Sequence, residues 1–409
     1  MTKTTQYKNT PIGPIPMDWE VKKLGENIDV YRGGSPRPIQ NFITTNKNGV
    51  NWIKIGDTSL SGKFIQSAKE KIIPEGEKRS RKVFSGDFLL SNSMSFGRPY
   101  ILQIDGCIHD GWLVLQNYKD TFDKDFLYYI LSSEVIINQY KSKAAGSSVL
   151  NLNKELVSSV KLIVPPLPEQ QKIAEVLSTW DKAIQDTDTI IKKLQDRNKA
   201  LATSLLTGES RIEAFKNSPS AKLEIKDVAK EISLKNKENH NYTVFSCTKY
   251  NGLVPSLEYF GKKIYSDNLK TYKIIKRNQF AYATNHIEEG SMGILEKEDI
   301  GLISPMYTIF EFNENVNLDY IFKMLKSDFY INEYKRRMEG SIDRRGGLRW
   351  SAFAQIKINL PSIEEQNAIA EILNTANQEV KQYQQKLEAL KLQKKGLMQQ
   401  LLTGKVRTV

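Results

Sequence analysis

The sequence predicts an α+β fold: two mixed, mainly β domains separated by two long helices that pair as an antiparallel coiled coil, the whole forming an internal, pseudo-twofold repeat. Three observations carry this. The stretch EQQKIAEVL at Glu169–Leu177 returns as EQNAIAEIL at Glu365–Leu373, 196 residues later (365 − 169). Each copy opens a long run of apolar residues at alternating spacings of four and three, the signature of a helical seam. The segments before each copy are rich in β-branched and aromatic runs broken by Gly, Asn and Pro, as short strands and turns require.

The expected order is a first domain over 1–162, a helix over 163–211, a second domain over 212–357 and a second helix over 358–409. Pro165–Arg211 aligns with Pro361–Arg407 without a gap, and 16 of the 47 pairs are identical, down to the closing LLTG at Leu205–Gly208 and Leu401–Gly404. The helix starts are marked by Pro168 and by acidic first turns at Glu169 and at Glu364 and Glu365, and the stops by Gly208 and Gly404. The first seam runs Ile173, Leu177, Trp180, Ile184, Thr187, Ile191, Leu194, Asn198, Leu201, Leu205. The second is the same list plus 196, from Ile369 to Leu401. The repeat also reaches upstream, where NQYKSKAAGS at Asn138–Ser147 matches NEYKRRMEGS at Asn332–Ser341.

Pairing direction follows from length and polarity. A helix of 39 residues, Pro168 to Leu206, spans about 58 Å at 1.5 Å per residue. In a parallel pair, a domain of about 150 residues with a radius of gyration near 15 Å would have to return the chain over that distance. Parallel packing would also face Asn198 with Lys394. Antiparallel packing sets Asn198 near Ala376 and Lys394 near Trp180, where its stem could lie on the indole.

Composition bounds the function. Of 409 residues, 40% are hydrophobic, enough for packed cores. The N-terminal stretch lacks an apolar signal region, and no run of 18 apolar residues occurs, so neither secretion nor a membrane span is expected. Cys107 and Cys247 stand far apart, in keeping with a reduced, cytoplasmic setting. Lys and Arg total 59 against 47 Asp and Glu, a net charge of +12 that favours a polyanionic partner through counterion release. Motifs for chemistry are missing. SPMY at Ser304–Tyr307 lacks the paired prolines of an adenine methyltransferase, no GxxxxGK[ST] loop or GxSxG elbow occurs, and His109, His240 and His286 have no metal-ligand spacing. No cofactor and no metal are expected.

Residues suited to nucleic-acid reading cluster on predicted loops. Arg can grip guanine O6 and N7, and Asn can grip adenine N6 and N7. The first domain offers Arg32 and Arg37 in YRGGSPRPIQ; Ser91, Asn92, Ser93 and Arg98 in SNSMSFGRPY; and His109 in GCIHDGWL, whose Trp112 reads as core. The strip EKRSRK at Glu77–Lys82 suits phosphates. The second domain offers Lys249, Tyr250 and Asn251 in SCTKYNG, Asn285 and His286 in YATNHIEEGS, and Arg336, Arg337, Arg344, Arg345 and Arg349 in KRRMEGSIDRRGGLRW.

IGPIPMDWEVKKLGE at Ile12–Glu26, PPLPEQQKIAEVL at Pro165–Leu177 and the doubled LLTG resemble the DNA-specificity (S) subunits of type I restriction–modification systems, over nearly the whole chain. The second copy departs at Ser362 and Glu364, where the first has Pro. The resemblance implies a non-catalytic subunit with two target-recognition domains, each reading one half of a bipartite site in double-stranded DNA. It implies helices that act as spacer and as dock for two methyltransferase (M) subunits, and restriction/translocase (R) subunits in the full complex, which methylates adenine and restricts. Docking is expected at the helix starts, on Glu169, Gln170, Gln171, Glu365 and Gln366. The rival readings are a self-sufficient DNA methyltransferase or nuclease, which the missing motifs oppose, and a coiled-coil scaffold that does not bind DNA.

Overall fold

The computed structural model describes residues 6–59, 62–92, 97–144, 152–339 and 347–408. It divides into two compact units, one formed by Met1–Asp188 with Gln385–Val409 and the other by Thr189–Gln384. No helix is long and apolar enough to cross a membrane.

In the first unit a five-stranded sheet runs in the order Asp29–Arg32, Trp112–Gln116, Phe88–Ser91, Pro99–Leu102, Phe64–Ile65. A second sheet runs Ile43–Thr44, Glu70–Ile72, Val50–Ile53, Gly106–Ile108, Arg81–Val83. The central strand Phe88–Ser91 is buried along its whole length and Trp112–Gln116 along all but its last residue, which is why they read as apolar runs and not as alternating patterns. Trp112 is fully buried, as its core reading required. Two helices follow, Lys124–Leu131 and Glu134–Ala144, and a two-stranded clip of Glu20–Lys23 with Lys161–Val164 closes the unit.

The second unit repeats this plan. One sheet runs Ala229–Ile232, Tyr307–Phe312, Phe280–Ala283, Met292–Ile294, and the other Gly252–Pro255, Val244–Thr248, Ile300–Ile303, Lys273–Lys276. Helices Leu318–Leu325 and Asp328–Glu339 and the clip of Ala221–Glu224 with Lys357–Leu360 complete it. SPMY is the turn between the strands Ile300–Ile303 and Tyr307–Phe312, with only Tyr307 inside the sheet, and not the ordinary strand that its sequence suggested.

The long helices are Leu167–Thr207 and Ile363–Leu401, 41 and 39 residues. Within the first unit Ile173, Ala174 and Leu177 share a core with Leu397, Met398, Leu401 and Leu402. Within the second, Leu201 and Leu205 share one with Ile369 and Leu373. In each unit residues late in one helix meet residues early in the other, so both pairings are antiparallel. Asn198 donates from Nδ2 to the Ala376 carbonyl at 2.7 Å, which satisfies the one amide buried in the seam. Lys394 differs from expectation. Its ammonium forms an ion pair with Asp181, one residue past Trp180, and lies 5.2 Å from the Tyr129 ring centroid. A carboxylate next to the predicted indole gives the cation a stronger partner than a ring face does.

Gly208 and Gly404 both sit at positive φ, 76° and 70°, the left-handed conformation that ends a helix. At Gly404 a side chain is also excluded by space, because a Cβ would come within 2.5 Å of Pro16.

Candidate nucleic-acid interface

The duplicated Glu-Gln pair shows how the sequence builds each unit. Glu169 is 1% exposed and takes a bidentate grip from Arg407, Nε to Oε1 at 2.7 Å and Nη2 to Oε2 at 2.8 Å, plus the Trp19 indole N–H at 2.8 Å. Glu365 is gripped in the same way by Arg211, with Nε 3.0 Å from Oε1. Gln170 accepts from the backbone N–H of Asp123 at 2.9 Å and donates to the carbonyls of Thr121 and Pro165. Gln366 does the same with Asn317 N–H at 2.8 Å and the carbonyls of Asn315 and Pro361. Asp123 and Asn317 are the N-caps of the helices Lys124–Leu131 and Leu318–Leu325. The glutamine thus pins the start of a helix in the preceding domain.

These contacts correct the expectation that Glu169, Gln170, Glu365 and Gln366 dock a partner. All four are buried with their polar atoms engaged inside the chain. Of the five, Gln171 alone is exposed.

In the first unit the candidate readers converge on the loop His109–Gly111. The Arg32 Nε donates to the Asp110 carbonyl at 3.3 Å, and the Asn92 amide donates to the same oxygen at 3.1 Å. Ser35 Oγ donates to Asp110 Oδ1 at 2.9 Å, and Arg37, its side chain 81% exposed, lies 3.4 Å from Oδ2. The Ser35 hydrogen bond is the main reason that the Asp110 carboxyl titrates below its ordinary range. Gly33 is required here: a Cβ would fall 2.0 Å from the His109 carbonyl oxygen. A cleft of about 860 Å³ opens beside this loop, lined by Arg37, Pro38, Trp52, Lys54 and His109 among others. A neighbouring hollow shares Lys54, His109 and Asp110 and adds Arg32 and Asn92.

His109 is half-buried, and burial pushes its pKa down. Its Nδ1 lies 2.6 Å from the Gly111 nitrogen and its Nε2 3.3 Å from the Ile55 nitrogen, while the Asp110 carboxylate, 3.7 Å from Nδ1, opposes the downward shift without cancelling it. Arg81, from the basic strip, donates through Nε to the Arg32 carbonyl at 3.4 Å and stacks 4.9 Å from the Tyr31 ring centroid. Arg98 is separate from this cluster: it bonds the Gly62 carbonyl at 3.3 Å and lies over Tyr100. Ser91 and Asn92 are buried, and Ser93 lies outside the described residues.

In the second unit the structure brings together the hairpin tip Lys249–Asn251 and the turn Asn285–Gly290. A Cβ on Gly290 would lie 3.9 Å from the Lys249 carbonyl oxygen, and Lys326 Nζ donates to that oxygen at 2.8 Å. Leu348 N–H bonds the Thr284 carbonyl at 2.8 Å, which carries exposed Arg349 past the same turn. The first unit uses the matching bond, Leu152 N–H to the Asn92 carbonyl at 2.9 Å. Asn285 and His286 are exposed. His286, Glu288 and Glu289 bring their ligand-type atoms within 4.8 Å of one another, as exposed acidic turns commonly do. Arg336 and Arg337 both pair with Glu333, and Arg337 also bonds the Ala352 carbonyl at 3.1 Å, so these two serve the fold. Arg344 and Arg345 lie outside the described residues.

Sequence reading missed Ser35 and Asp110, which bond each other across 75 positions, and Lys54, which the fold brings beside His109 in the cleft lining. It also missed the reciprocal Arg–Glu pairs, although both partners stand among the 16 identities of the repeat.

Residues 16–196 match the family model of the type I restriction modification DNA specificity domain. The chain is 24% identical to the MjaVIII specificity subunit of Methanocaldococcus jannaschii, over 96% of this chain and 94% of that one. It is 25% identical to the putative MjaX specificity subunit of the same organism, over 99% and 97%. In fold it is similar to the HsdS subunit of Thermoanaerobacter tengcongensis, with a TM-score of 0.58 at 16% identity, covering 96% of this chain and 98% of that one. A chain from a type I restriction–modification assembly gives a TM-score of 0.63 at 15% identity, covering 96% and 99%.

Proposed function

We propose that this chain, a member of the DNA-specificity family of type I restriction–modification systems, is the DNA-recognition subunit of such a complex. Residues 1–162 and 212–357 are its two target-recognition domains, and each reads one half of a bipartite double-stranded site. The observation that carries this is the pairing of like with unlike. The two units share their clips, their terminal helices and the Glu-Gln pins, yet they place different side chains on the equivalent loops. Around His109 the first presents Arg32, Arg37, Lys54 and Arg81; the second presents Lys249, Tyr250, Asn285 and Arg349. Arginine and lysine on loops serve phosphates and guanine edges, and asparagine serves adenine.

The chain supplies recognition, and methyl transfer and DNA cleavage belong to partner subunits. Two methyltransferase subunits dock on the exposed faces of the long helices, starting near Gln171, since the neighbouring Glu and Gln side chains are used internally. Restriction/translocase subunits complete the assembly, which works on DNA in the cytoplasm. Co-expression with the methyltransferase subunit, followed by methylation sequencing of the host DNA, tests the reading. Adenine methylation at one split site, present only when this gene is present, is the expected result. Methyl transfer by the purified chain alone would overturn it.

A further inference from the structure

We infer that Tyr250 is a wedge: on DNA binding its ring enters the base stack of the half-site read by the second domain. The inference rests on the DNA-recognition role proposed above. Tyr250 is 82% exposed at the tip of the hairpin between Val244–Thr248 and Gly252–Pro255, the largest exposure among the large hydrophobic side chains described. A ring so placed is left largely in water by the folded chain, yet its platform is stiff. Asn251 N–H bonds Thr248 Oγ1 at 3.0 Å, Thr248 Oγ1 bonds the Gly252 carbonyl at 3.1 Å, and Gly252 holds φ at 63°.

From behind, Lys326 donates to the Lys249 carbonyl at 2.8 Å. Gly293 allows close backing, since a Cβ there would meet the Leu253 nitrogen at 2.3 Å. A braced tip can push into a duplex without folding back, and it loses little conformational entropy when it does.

The surroundings suit a stacked base. The Lys249 ammonium lies 5.2 Å from the Tyr250 ring centroid, placed to meet a phosphate while the ring meets bases. Asn251 Nδ2 reaches the Tyr259 hydroxyl at 3.4 Å, and Tyr259 and Phe260 stand partly exposed on the adjoining helix Ser256–Phe260. Aromatic rings interleaved with lysines form a stacking surface, and inserted side chains unstack one base step in exchange for a bent duplex. In the first unit the strand Val50–Ile53 pairs in parallel with Gly106–Ile108, as Val244–Thr248 does with Ile300–Ile303. It leads instead into the turn Ile55–Asp57, which carries no aromatic residue. The wedge is therefore a property of one half-site.

The test uses the complex with its methyltransferase subunits and duplexes that carry the site found by methylation sequencing, with 2-aminopurine at successive positions of one half. With the native chain, emission from one position should rise on binding, and that position should lie in the half-site that changes when residues 212–357 are exchanged. Tyr250→Ala should abolish that rise and weaken specific binding about 10- to 100-fold, the range of one lost stacking contact. Tyr250→Phe and Tyr250→Trp should retain both. Unchanged emission and affinity in Tyr250→Ala would overturn the wedge, as would a Phe variant as weak as Ala, which would assign the effect to the hydroxyl. A native complex that binds no duplex would instead sink the DNA-recognition reading.

Discussion

Arg407 grips Glu169 through two parallel hydrogen bonds, and Arg211 grips Glu365 in the same way. Each arginine follows the end of one long helix, and each glutamate begins the other. One duplicated sequence therefore closes both helix pairings by exchanging the same two residues. Glu169 is 1% exposed, so removal of its partner strands a charge.

Arg407→Met is expected to lower the stability of the first unit by about 3–5 kcal/mol. Arg407→Met with Glu169→Gln should cost less than the two single changes added together. Urea unfolding of the three variants checks this, and strictly additive losses would show that the pair does not act as a unit.

The first unit should lose stability in mild acid because of His109. Burial lowers its folded pKa beneath the ordinary 6.5 despite the nearby Asp110 carboxylate, so the unfolded chain takes up the proton first. Its contribution is complete above about pH 6.5 and falls as the pH drops from there toward the folded pKa. Thermal melts between pH 5 and 8 should show this decline in the native chain and a flatter profile in His109→Gln. Parallel profiles would remove His109 as the cause.

Arg37 lines the cleft beside His109, Arg81 pairs across the sheet with Ile108, and both are exposed. If each meets a phosphate, Arg37→Ala and Arg81→Ala should each lower the slope of log affinity against log salt by roughly 0.9. A base contact by either arginine would in addition cost about 1–3 kcal/mol of discrimination at one base. Binding titrations at several salt concentrations decide between phosphate, base and neither. An unchanged slope and affinity would mark them as solvated surface.

Exchange of residues 212–357 for the matching segment of a relative should change one half of the methylated site and leave the other half as it was. The Gln366 contacts that seat this segment on the second helix come from a residue shared by both copies and reach backbone groups, the Asn317 N–H and the Asn315 carbonyl, so a foreign segment meets a familiar partner. Methylation sequencing reads the outcome. A change in both halves would refute modular reading.

The helix seams were legible because helical periodicity is local. Ile173, Leu177, Thr187, Ile191, Asn198 and Leu205 are all buried, and so are Ile369, Leu373, Ala376, Val380, Leu387 and Leu401. The loops were legible only as clusters. Arg32, Arg37, Asn92 and His109 were all chosen from local composition, but their meeting around Asp110 depends on strand pairing that brings Trp112–Gln116 beside Asp29–Arg32 and Phe88–Ser91. Arg98 came from the same stretch as Asn92 and points elsewhere, toward the Gly62 carbonyl.

By itself the sequence determined that a unit is duplicated, that each copy contains a helix of about 40 residues, and which acidic turn opens each helix. These are properties of spacing and of comparison within one chain, and they need no knowledge of distant contacts. Only the tertiary structure decided which polar residues face out. Glu169 and Gln170 look like a surface pair on the first turn of a helix, yet Trp19, Asp123 and Arg407 converge on them from 150, 47 and 238 residues away. Whether a carboxylate or an amide is a docking group or an internal fastener depends on which partners the fold brings to it, and local pattern holds no record of that.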